Sequence, residues 1–433
     1  MNASGMQSTG SRDEYTLVIG GAGFIGSNLA HRLLSQGKRV LVFDSLARAG
    51  VEQNLHWLRA QHGDRLLVQI ADLCEPAAVS VAVCQATAVF HLGAQVAVTT
   101  SLTDPLHDFA VNAQGTVQIL EALRTQGKQI PLVFTSTNKV YGALSDLALE
   151  ATDTCYQPID RQIRKSGISE KRNLAFHSPY GCSKGAADQY VLDYAHTFGL
   201  PATVFRMSCI YGPRQFGTED QGWVAHFLRR ALAGQAITIY GDGKQVRDIL
   251  FVDDLINALL LAQTHIHKIA GEAFNIGGGP RNAISLLQLL ELMQSLQDTP
   301  VRYTFEEWRP GDQRYYVSDT SKFQQMTGWR PRVEVQEGLQ RLYRWIGEIE
   351  TNATVKHRVG MPASSATDGC SNGATRQESN PNGTHARSKV GREPDKNGLA
   401  RSVPVGIGQG KRGQAEQGQE EIVREGSVYV NEN

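Results

Sequence analysis

Short apolar runs alternate with longer amphipathic segments along the first half of the chain. The runs have the length of strands buried on both faces, and the segments between them repeat apolar residues at the spacing of a helix. This alternation predicts an α/β fold, a doubly wound parallel sheet with helices on both faces. The predicted strands are Tyr15–Ile19, Arg39–Phe43, Leu66–Ile70, Ala88–His91, Leu132–Thr135 and Ala202–Arg206, and the clearest helices are a segment ending near Ser35, Asn112–Arg124 and Tyr180–Thr197.

The pattern changes after about Cys209, where a smaller C-terminal region begins. Ile237–Tyr240 and Asp248–Val252 flank the turn residues Gly241-Asp242-Gly243, and this layout predicts a pair of strands joined through a glycine turn. Further helices are predicted at about Asp254–Gln263, Ser285–Leu296 and Val335–Ile349.

Both ends of the chain are polar. From about residue 350 the chain is rich in Gly, Ser, Asn and Gln, and Tyr429 is its only aromatic residue. Such a segment buries too little apolar surface to offset the entropy of ordering. We predict a flexible N-terminus at residues 1–14 and a disordered tail at residues 350–433.

A glycine-rich turn joins the first strand to the first helix. In Gly20-Gly21-Ala22-Gly23-Phe24-Ile25-Gly26, the strand–turn–helix context is that of a Rossmann-type dinucleotide fingerprint. Gly20 allows the tight turn, Gly23 the approach of a pyrophosphate, and Gly26 close packing of helix on strand. The first helical residues, Phe24 and Ile25, present free N–H groups to the phosphates.

Polar residues at the ends of the next strands complete the predicted cofactor site. Asp44 ends the second strand, about 20 residues after the glycines, and can accept both ribose hydroxyls. This carboxylate favours NAD over NADP, although the nearby Arg48 is a counter-signal. Asp72 follows the third strand and either reaches the adenine amine or is an idle loop carboxylate. The other cofactor residues predicted from the strand ends are Leu73, Gly93, Gln95 and Thr135.

Tyr180 and Lys184 are four residues apart and therefore share one face of a helix. A phenol is a poor base near neutrality because its reference pKa is about 10. A neighbouring ammonium favours the phenolate, so the pair is a candidate for proton transfer. Thr137, at the end of the fifth strand, is a candidate hydroxyl partner. Alternatively, the pair belongs to an ordinary amphipathic helix, and the threonines reflect strand propensity.

Composition excludes several other classes of function. Lys+Arg and Asp+Glu are both 43, so the formal net charge of zero gives no reason to predict a nucleic-acid or anionic-membrane partner. The six cysteines lack metal-ligand spacing, so no metal site is predicted and a reducing compartment is indicated. The sequence shows neither a signal-peptide layout nor a membrane-spanning apolar run, and we expect a cytoplasmic protein.

Taken together, these motifs resemble the extended short-chain dehydrogenases that act on nucleotide sugars. The resemblance covers about Tyr15 to Ile349 and rests on Gly20–Gly26, Asn112 with Gly115-Thr116, Ser136-Thr137 before Val140-Tyr141-Gly142, and the Tyr180/Lys184 pair. It implies NAD as cofactor, an NAD-binding part at about 15–208 and a substrate-binding part at about 209–349. Relatives pair through the helices that include that of Tyr180, and we therefore expect a homo-oligomer.

The same resemblance implies roles for individual residues. Tyr180 is the base, Lys184 its electrostatic partner and ribose anchor, and Thr137 the hydroxyl partner. Asn112 is a buried scaffold residue, and Met207 lies next to the nicotinamide. The implied diphosphate clamp consists of Arg247 and Arg309, whose guanidinium geometry suits phosphoryl groups.

The residues after Thr137 distinguish subgroups of this family. The 4,6-dehydratases carry an Asp-Glu pair where this chain has Asn138-Lys139, so dehydration is not expected. The galactose-type 4-epimerases carry asparagine at the position of Cys209 and usually tyrosine at that of Met207. Residues 137–142, 176–190 and 205–223 resemble instead the enzymes that invert C2 of CDP-linked 3,6-dideoxyhexoses. The substrate-binding residues implied besides the two arginines are Thr137, Asn138, Lys139, Ser208 and Cys209.

This resemblance makes a CDP-linked deoxysugar the expected substrate, with neither nucleic acid nor membrane as a partner. Ile19 departs from relatives that have threonine before the glycines, and the long polar tail is a second departure. Two alternatives stay open, namely another sugar-nucleotide epimerase such as a UDP-sugar 4-epimerase, and a non-catalytic NAD(H)-sensing protein.

Overall fold

The computed structural model of the protein describes residues 14–297, 299–309 and 311–359. Its strands are β1 (Tyr15–Ile19), β2 (Val40–Asp44), β3 (Leu66–Ile70), β4 (Ala86–His91), β5 (Leu132–Thr137), β6 (Leu149–Ala151), β7 (Tyr156–Pro158), β8 (Ala202–Met207), β9 (Cys209–Tyr211), β10 (Ile237–Tyr240), β11 (Val246–Phe251), β12 (Ala273–Ile276), β13 (Ala283–Ser285), β14 (Tyr303–Glu306) and β15 (Tyr315–Tyr316).

The α-helices of the same residues follow in chain order. They are α1 (Phe24–Ser35), α2 (Val51–His62), α3 (Pro76–Val83), α4 (Val98–Thr103), α5 (Pro105–Phe109), α6 (Gly115–Thr125), α7 (Arg161–Ser166), α8 (Ser178–Phe198), α9 (Trp223–Leu232), α10 (Val252–Thr264), α11 (Ile266–Ile269), α12 (Leu286–Gln294), α13 (Ser321–Thr327) and α14 (Val335–Val359). Within the part of the chain that the structure describes, no helix combines the length and the apolar character needed to span a bilayer.

A seven-stranded sheet organises the described residues. Its order is β12-β8-β5-β4-β1-β2-β3, and all neighbouring strands run parallel. The predicted Rossmann-type parallel sheet is thereby confirmed. β12 lies beyond residue 208, so the predicted boundary between an NAD-binding and a substrate-binding part does not separate the sheet from the rest of the chain.

The central strands are buried on both faces, as their unbroken apolar sequences predict. In β1, Val18 belongs to the core on one side of the sheet, and Leu17 and Ile19 belong to the core on the other. The split follows from the two-residue period of a strand. Burying a side chain of this size stabilises the fold by about 1.5–3 kcal/mol.

The prediction that the two strands flanking Gly241–Gly243 pair with each other is wrong, although both strands exist. β10 pairs in parallel with β14, whereas β11 pairs with β13, β15 and β9. Gly241 adopts a φ of +82°, and a Cβ there would lie 2.5 Å from the ring of Trp308. The chain therefore changes direction next to Trp308, and β10 and β11 each pair with strands that are distant in the sequence.

The predicted tail is partly helical at its start, because α14 continues through residues 350–359. The remaining predicted tail, residues 360–433, and residues 1–13 of the predicted flexible N-terminus lie outside the described residues. All of the described residues fall in one compact unit, Met1–Ala363.

Candidate active site

The glycine turn between β1 and α1 is closely packed. Gly20 has a φ of +75°, and a Cβ on it would lie 2.7 Å from the backbone nitrogen of Gly93. A Cβ on Gly26 would lie 2.1 Å from the carbonyl oxygen of Gly20. Gly23 is the N-cap of α1 and makes no side-chain capping bond, so the N–H groups beginning at Phe24 and Ile25 are available to an anion. These residues fit a dinucleotide pyrophosphate.

Asp44 is fixed at the end of β2 by the same turn. Its two carboxylate oxygens accept hydrogen bonds from the backbone N–H groups of Ala22 and Leu46, both at 2.9 Å. Each oxygen retains a lone pair for a ribose hydroxyl. Burial raises the pKa of Asp44 despite these hydrogen bonds.

Asp72 and Leu73 follow β3 but have different surroundings. Asp72 accepts a 2.8 Å hydrogen bond from the backbone N–H of Cys74. Leu73 is buried, and its side chain packs where a Cβ on Gly93 or Gly115 would lie. Leu73 therefore has a packing role in the fold, whereas a contact between Asp72 and the adenine stays a prediction.

Asn112 connects the cofactor side of the sheet to helix α8. It lies in a π-helical turn, Ala110–Gln114, between α5 and α6, and not in the first turn of the helix predicted there. Its Oδ1 accepts from the backbone N–H of Gln95 at 2.9 Å, and its Nδ2 donates to the Gln95 carbonyl at 3.0 Å. The same Nδ2 donates to Ser183 Oγ of α8 at 3.1 Å. Such π-helical turns occur often at functional sites.

Asp108, which was not predicted from the sequence, completes this scaffold. Its carboxylate accepts hydrogen bonds from Gln95, Asn112 and Ser183. Asp108 lies four residues before Asn112, and that spacing is the one local signal for a shared helix face. The contact with Ser183 joins residues that are distant in the sequence.

Tyr180, Lys184 and Thr137 meet at the carboxyl end of β5. The side chains of Thr137 and Tyr180 are hydrogen-bonded to each other. Lys184 Nζ donates to the carbonyl oxygen of Thr135 at 2.7 Å and lies 4.2 Å from the centre of the Phe134 ring. Ser178, at the start of α8, has a φ of +64°, an unusual conformation for a residue with a side chain.

Burial controls the protonation of both members of the Tyr180/Lys184 pair. It raises the pKa of Tyr180 to about 12, against a smaller lowering by the Thr137 hydrogen bond. It lowers the pKa of Lys184 to about 7, against the charges of Asp188 and Asp108. Burial is thus the largest influence on both groups, and the expectation that Lys184 favours the phenolate stays a prediction.

A cavity of about 660 Å³ opens in front of Tyr180. It reaches from the start of α1 to the C-terminal region and so joins the two halves of the predicted site. The predicted site residues on its wall are Phe24, Ile25, Thr135, Thr137, Asn138, Lys139, Tyr180, Lys184, Met207, Ser208, Cys209, Arg247 and Arg309.

Cations and carboxylates alternate along the far wall of this cavity. Arg247 Nη2 and Lys139 Nζ approach the same oxygen of Asp312, at 3.7 and 3.9 Å. Arg309 lies 3.3 Å from Glu219 and stacks 3.7 Å from the centre of the Tyr240 ring. Burial lowers the pKa of Lys139 to about 8.

Several wall residues were not predicted from the sequence. Asp312 lies three residues after the predicted Arg309, and Glu219 and Trp223 lie within the run 205–223 on which the resemblance rests, but neither these residues nor Tyr240 were predicted as site residues. Elsewhere on the cavity wall, Ser208 donates through its hydroxyl to Asp248. This contact holds Ser208 against β11.

Comparisons with known proteins agree with this geometry. The family model described as the NAD dependent epimerase/dehydratase family matches residues 16–277. CDP-paratose 2-epimerase of Salmonella typhi is 43% identical over an alignment of 353 residues, which covers 77% of this chain and 99% of that protein.

Two solved structures have the same fold. UDP-glucose 4-epimerase of Thermotoga maritima, solved with UDP-glucose, has 30% identity and a TM-score of 0.65, with 78% of this chain and 99% of that chain covered. UDP-glucose 4-epimerase of Thermus thermophilus, solved with NAD, has 31% identity and a TM-score of 0.64, with 77% and 99% covered. The chain therefore belongs to the NAD-dependent epimerase/dehydratase family, and it is an NAD-dependent enzyme of the epimerase type.

Proposed function

We propose that this enzyme inverts C2 of a CDP-linked 3,6-dideoxyhexose and converts CDP-paratose to CDP-tyvelose. The observation that carries the proposal is the single cavity that joins the start of α1, the Tyr180/Thr137 hydrogen bond and the cationic wall. The 43% identity to CDP-paratose 2-epimerase supports the choice of nucleotide and sugar carbon.

Tyr180 and Thr137 handle the proton of the reacting hydroxyl. Thr137 hydrogen-bonds to the hydroxyl together with Tyr180, and Tyr180 removes its proton and later restores it. Gly20, Gly26 and Asp44 hold the dinucleotide, and Lys184 anchors its nicotinamide ribose. A bound NAD⁺ would supply reversible hydride transfer at C2, with return of the hydride to the opposite face of the sugar, so no net NADH would form.

The phenolate of Tyr180 can form without any change in the total number of protons on Tyr180 and Lys184. A neutral phenol with a neutral amine contains as many protons as a phenolate with an ammonium. The burial shifts favour the neutral pair. A positive charge beside the phenol favours the charged pair, so the base forms without a change of pH.

Inversion at C2 requires that the nucleotide stays bound while the sugar turns. Lys139, Arg247 and Arg309 provide positive charge for the diphosphate at one end of the cavity. Ser208 and Cys209, on the sugar side, have small side chains that leave room for rotation. Asn138 hydrogen-bonds weakly to Gln313 at 3.5 Å and carries no carboxyl acid for dehydration.

Assays on three nucleotide sugars test this proposal. We expect CDP-paratose to equilibrate with CDP-tyvelose, while UDP-glucose and UDP-glucuronate remain unchanged. The products are identified by proton NMR, and ligands that copurify are identified by mass spectrometry. Turnover of a UDP-sugar at C4 would support the 4-epimerase alternative, and bound NAD without turnover of any sugar would support an NAD(H)-sensing protein.

We also propose that the enzyme assembles from identical subunits through α6 and α8. Apolar side chains of these helices and of α5 line a shallow groove, among them Phe109, Val117, Ala186 and Tyr190. Phe109 is 55% and Tyr190 47% exposed. Analytical sedimentation should show that the wild type is an oligomer and that the Tyr190→Glu variant dissociates. A monomeric wild type would contradict the proposed assembly.

A further inference from the structure

Asp188 and Arg206 form a buried ion pair one helical turn beyond Lys184. Arg206 Nε donates to Asp188 Oδ2 at 2.9 Å, and Arg206 Nη2 donates to Oδ1 at 2.8 Å. Asp188 is fully buried and Arg206 is 5% exposed. Asp188 follows Lys184 by four residues on α8, so both side chains lie on one face of the helix.

The guanidinium of Arg206 joins this helix to the rest of the site. Its Nη1 donates to the hydroxyl of Tyr141 at 3.3 Å. Tyr141 ends the short helical turn that follows Thr137, and its hydroxyl donates to Asn275 of β12 at 2.8 Å. Arg206 also precedes Met207, which lines the cavity. One side chain therefore links the elements that carry Lys184, Thr137 and Met207.

Stability alone does not require such a pair. A buried ion pair can often be replaced by apolar residues at no loss of stability, because desolvating two charges costs about as much as their attraction gains. The position of the negative charge of Asp188 relative to Lys184 is more specific to this site. Asp188 adjoins an ammonium that has no carboxylate partner at hydrogen-bond distance among the described residues.

The other charged or titratable groups around Lys184 come from three elements. Asp108 of α5 contributes a second negative charge. His91 of β4 is neutral, because burial and Lys184 hold its pKa well below the usual range. Tyr180 lies one turn earlier on α8. The carboxylates of Asp188 and Asp108 are thus the groups that favour a charged Lys184 against its burial.

Resting on the function proposed above, we propose that Asp188 and Arg206 are positioning residues of the epimerization. Their ion pair fixes Lys184 and Thr137 around Tyr180, and the Asp188 carboxylate stabilises the cationic form of Lys184.

The test removes both charges at once. Asp188→Asn alone leaves the Arg206 guanidinium buried without its partner, so the double variant Asp188→Asn/Arg206→Met is the informative one. The control is Asp193→Asn, the same substitution at an exposed position of α8. Each protein is assayed for kcat from pH 6 to 10, for NAD⁺ binding by fluorescence titration over the same range, and for its melting temperature.

We expect the double variant to fold with a melting temperature close to that of the wild type. Its kcat should fall about 10- to 100-fold, because small displacements of catalytic groups have effects of this size. Of the two charges removed, Asp188 is the one that raises the pKa of Lys184, so the pH profiles of kcat and NAD⁺ binding should move down by roughly one unit. Asp193→Asn should keep the wild-type profile.

Two outcomes would overturn the proposal. One is a double variant with reduced kcat but an unmoved pH profile, which would leave the ion pair a purely structural role. The other is a double variant with wild-type kcat and profile. The NAD⁺ titration reports the protonation of Lys184 whichever sugar is the substrate. A wrong substrate assignment is therefore recognised separately: the wild type fails to convert CDP-paratose, while the pH profile of NAD⁺ binding still differs between the wild type and the double variant.

Discussion

Lys184 donates a 2.7 Å hydrogen bond to the carbonyl oxygen of Thr135, which connects the catalytic helix to the end of β5. Thr137 lies two residues further along the same strand and hydrogen-bonds to Tyr180. The backbone of one strand therefore fixes both the lysine and the hydroxyl partner of the proposed base. This arrangement leads to the first prediction.

Tyr180→Phe should reduce kcat by about 10²- to 10⁴-fold, the usual contribution of a positioned acid–base group. The ring and its packing remain, so NAD⁺ and CDP binding should stay within about threefold of wild type. Steady-state kinetics and calorimetric titration measure the two effects. Retention of more than a tenth of the wild-type kcat would contradict the assignment of Tyr180 as the base.

The pH dependence of kcat/KM should follow the protonation of Lys139. Burial lowers its pKa to about 8, so the side chain is cationic below that pH and neutral above it. Because the diphosphate is anionic, kcat/KM should fall as the pH rises through about 8. The profile of kcat/KM reports the free enzyme and is the appropriate measurement.

Lys139→Arg provides the control for this effect, since a guanidinium remains charged throughout the range. We expect this variant to lose the decrease near pH 8, and Lys139→Met to have a low kcat/KM at every pH. If Lys139→Arg and wild type decrease in parallel, another group such as Lys184 causes the decrease.

Arg309→Lys should raise KM about tenfold and leave kcat nearly unchanged. The guanidinium offers a planar pair of donors to a phosphoryl group, whereas the ammonium acts as a point charge. Arg281→Lys is the matched control, because Arg281 is exposed and pairs with Glu334 at 3.4 Å on the surface. An unchanged KM for Arg309→Lys would remove Arg309 from the proposed diphosphate clamp.

Gly26→Ala should weaken NAD⁺ binding more than tenfold and lower stability by about 1–3 kcal/mol, the usual cost of overpacking. The added Cβ would lie 2.1 Å from the Gly20 carbonyl oxygen, so the turn that holds the pyrophosphate has to move. Urea unfolding and NAD⁺ titration measure the two effects.

Gly347→Ala is the control for this substitution, because the residue lies inside α14 and apart from the glycine turn. It should leave NAD⁺ binding unchanged and raise stability by about 0.5–1 kcal/mol through helix propensity. Equal NAD⁺ binding by both alanine variants would show that close packing at Gly26 is unimportant.

Features that depend on residues close together in the chain could be predicted from the amino-acid sequence. Apolar runs gave the strands of the central sheet that precede residue 208, and the glycine turn gave its junction with α1. The four-residue spacing placed Tyr180 and Lys184 on one helix face. These features are set by local backbone geometry and side-chain periodicity, which a sequence displays directly.

Contacts between groups that are distant in the chain could not be predicted and depend on the fold. The strands β10 and β11 flank one glycine turn yet pair with strands from elsewhere in the chain. Asp108 meets Ser183 and Arg206 meets Asp188 in the packed interior, and Asp312 approaches both Lys139 and Arg247 on the wall of the cavity. The pKa shifts of Tyr180 and Lys184 also depend on the fold, because desolvation is set by all the groups that surround a side chain, including those distant in the chain.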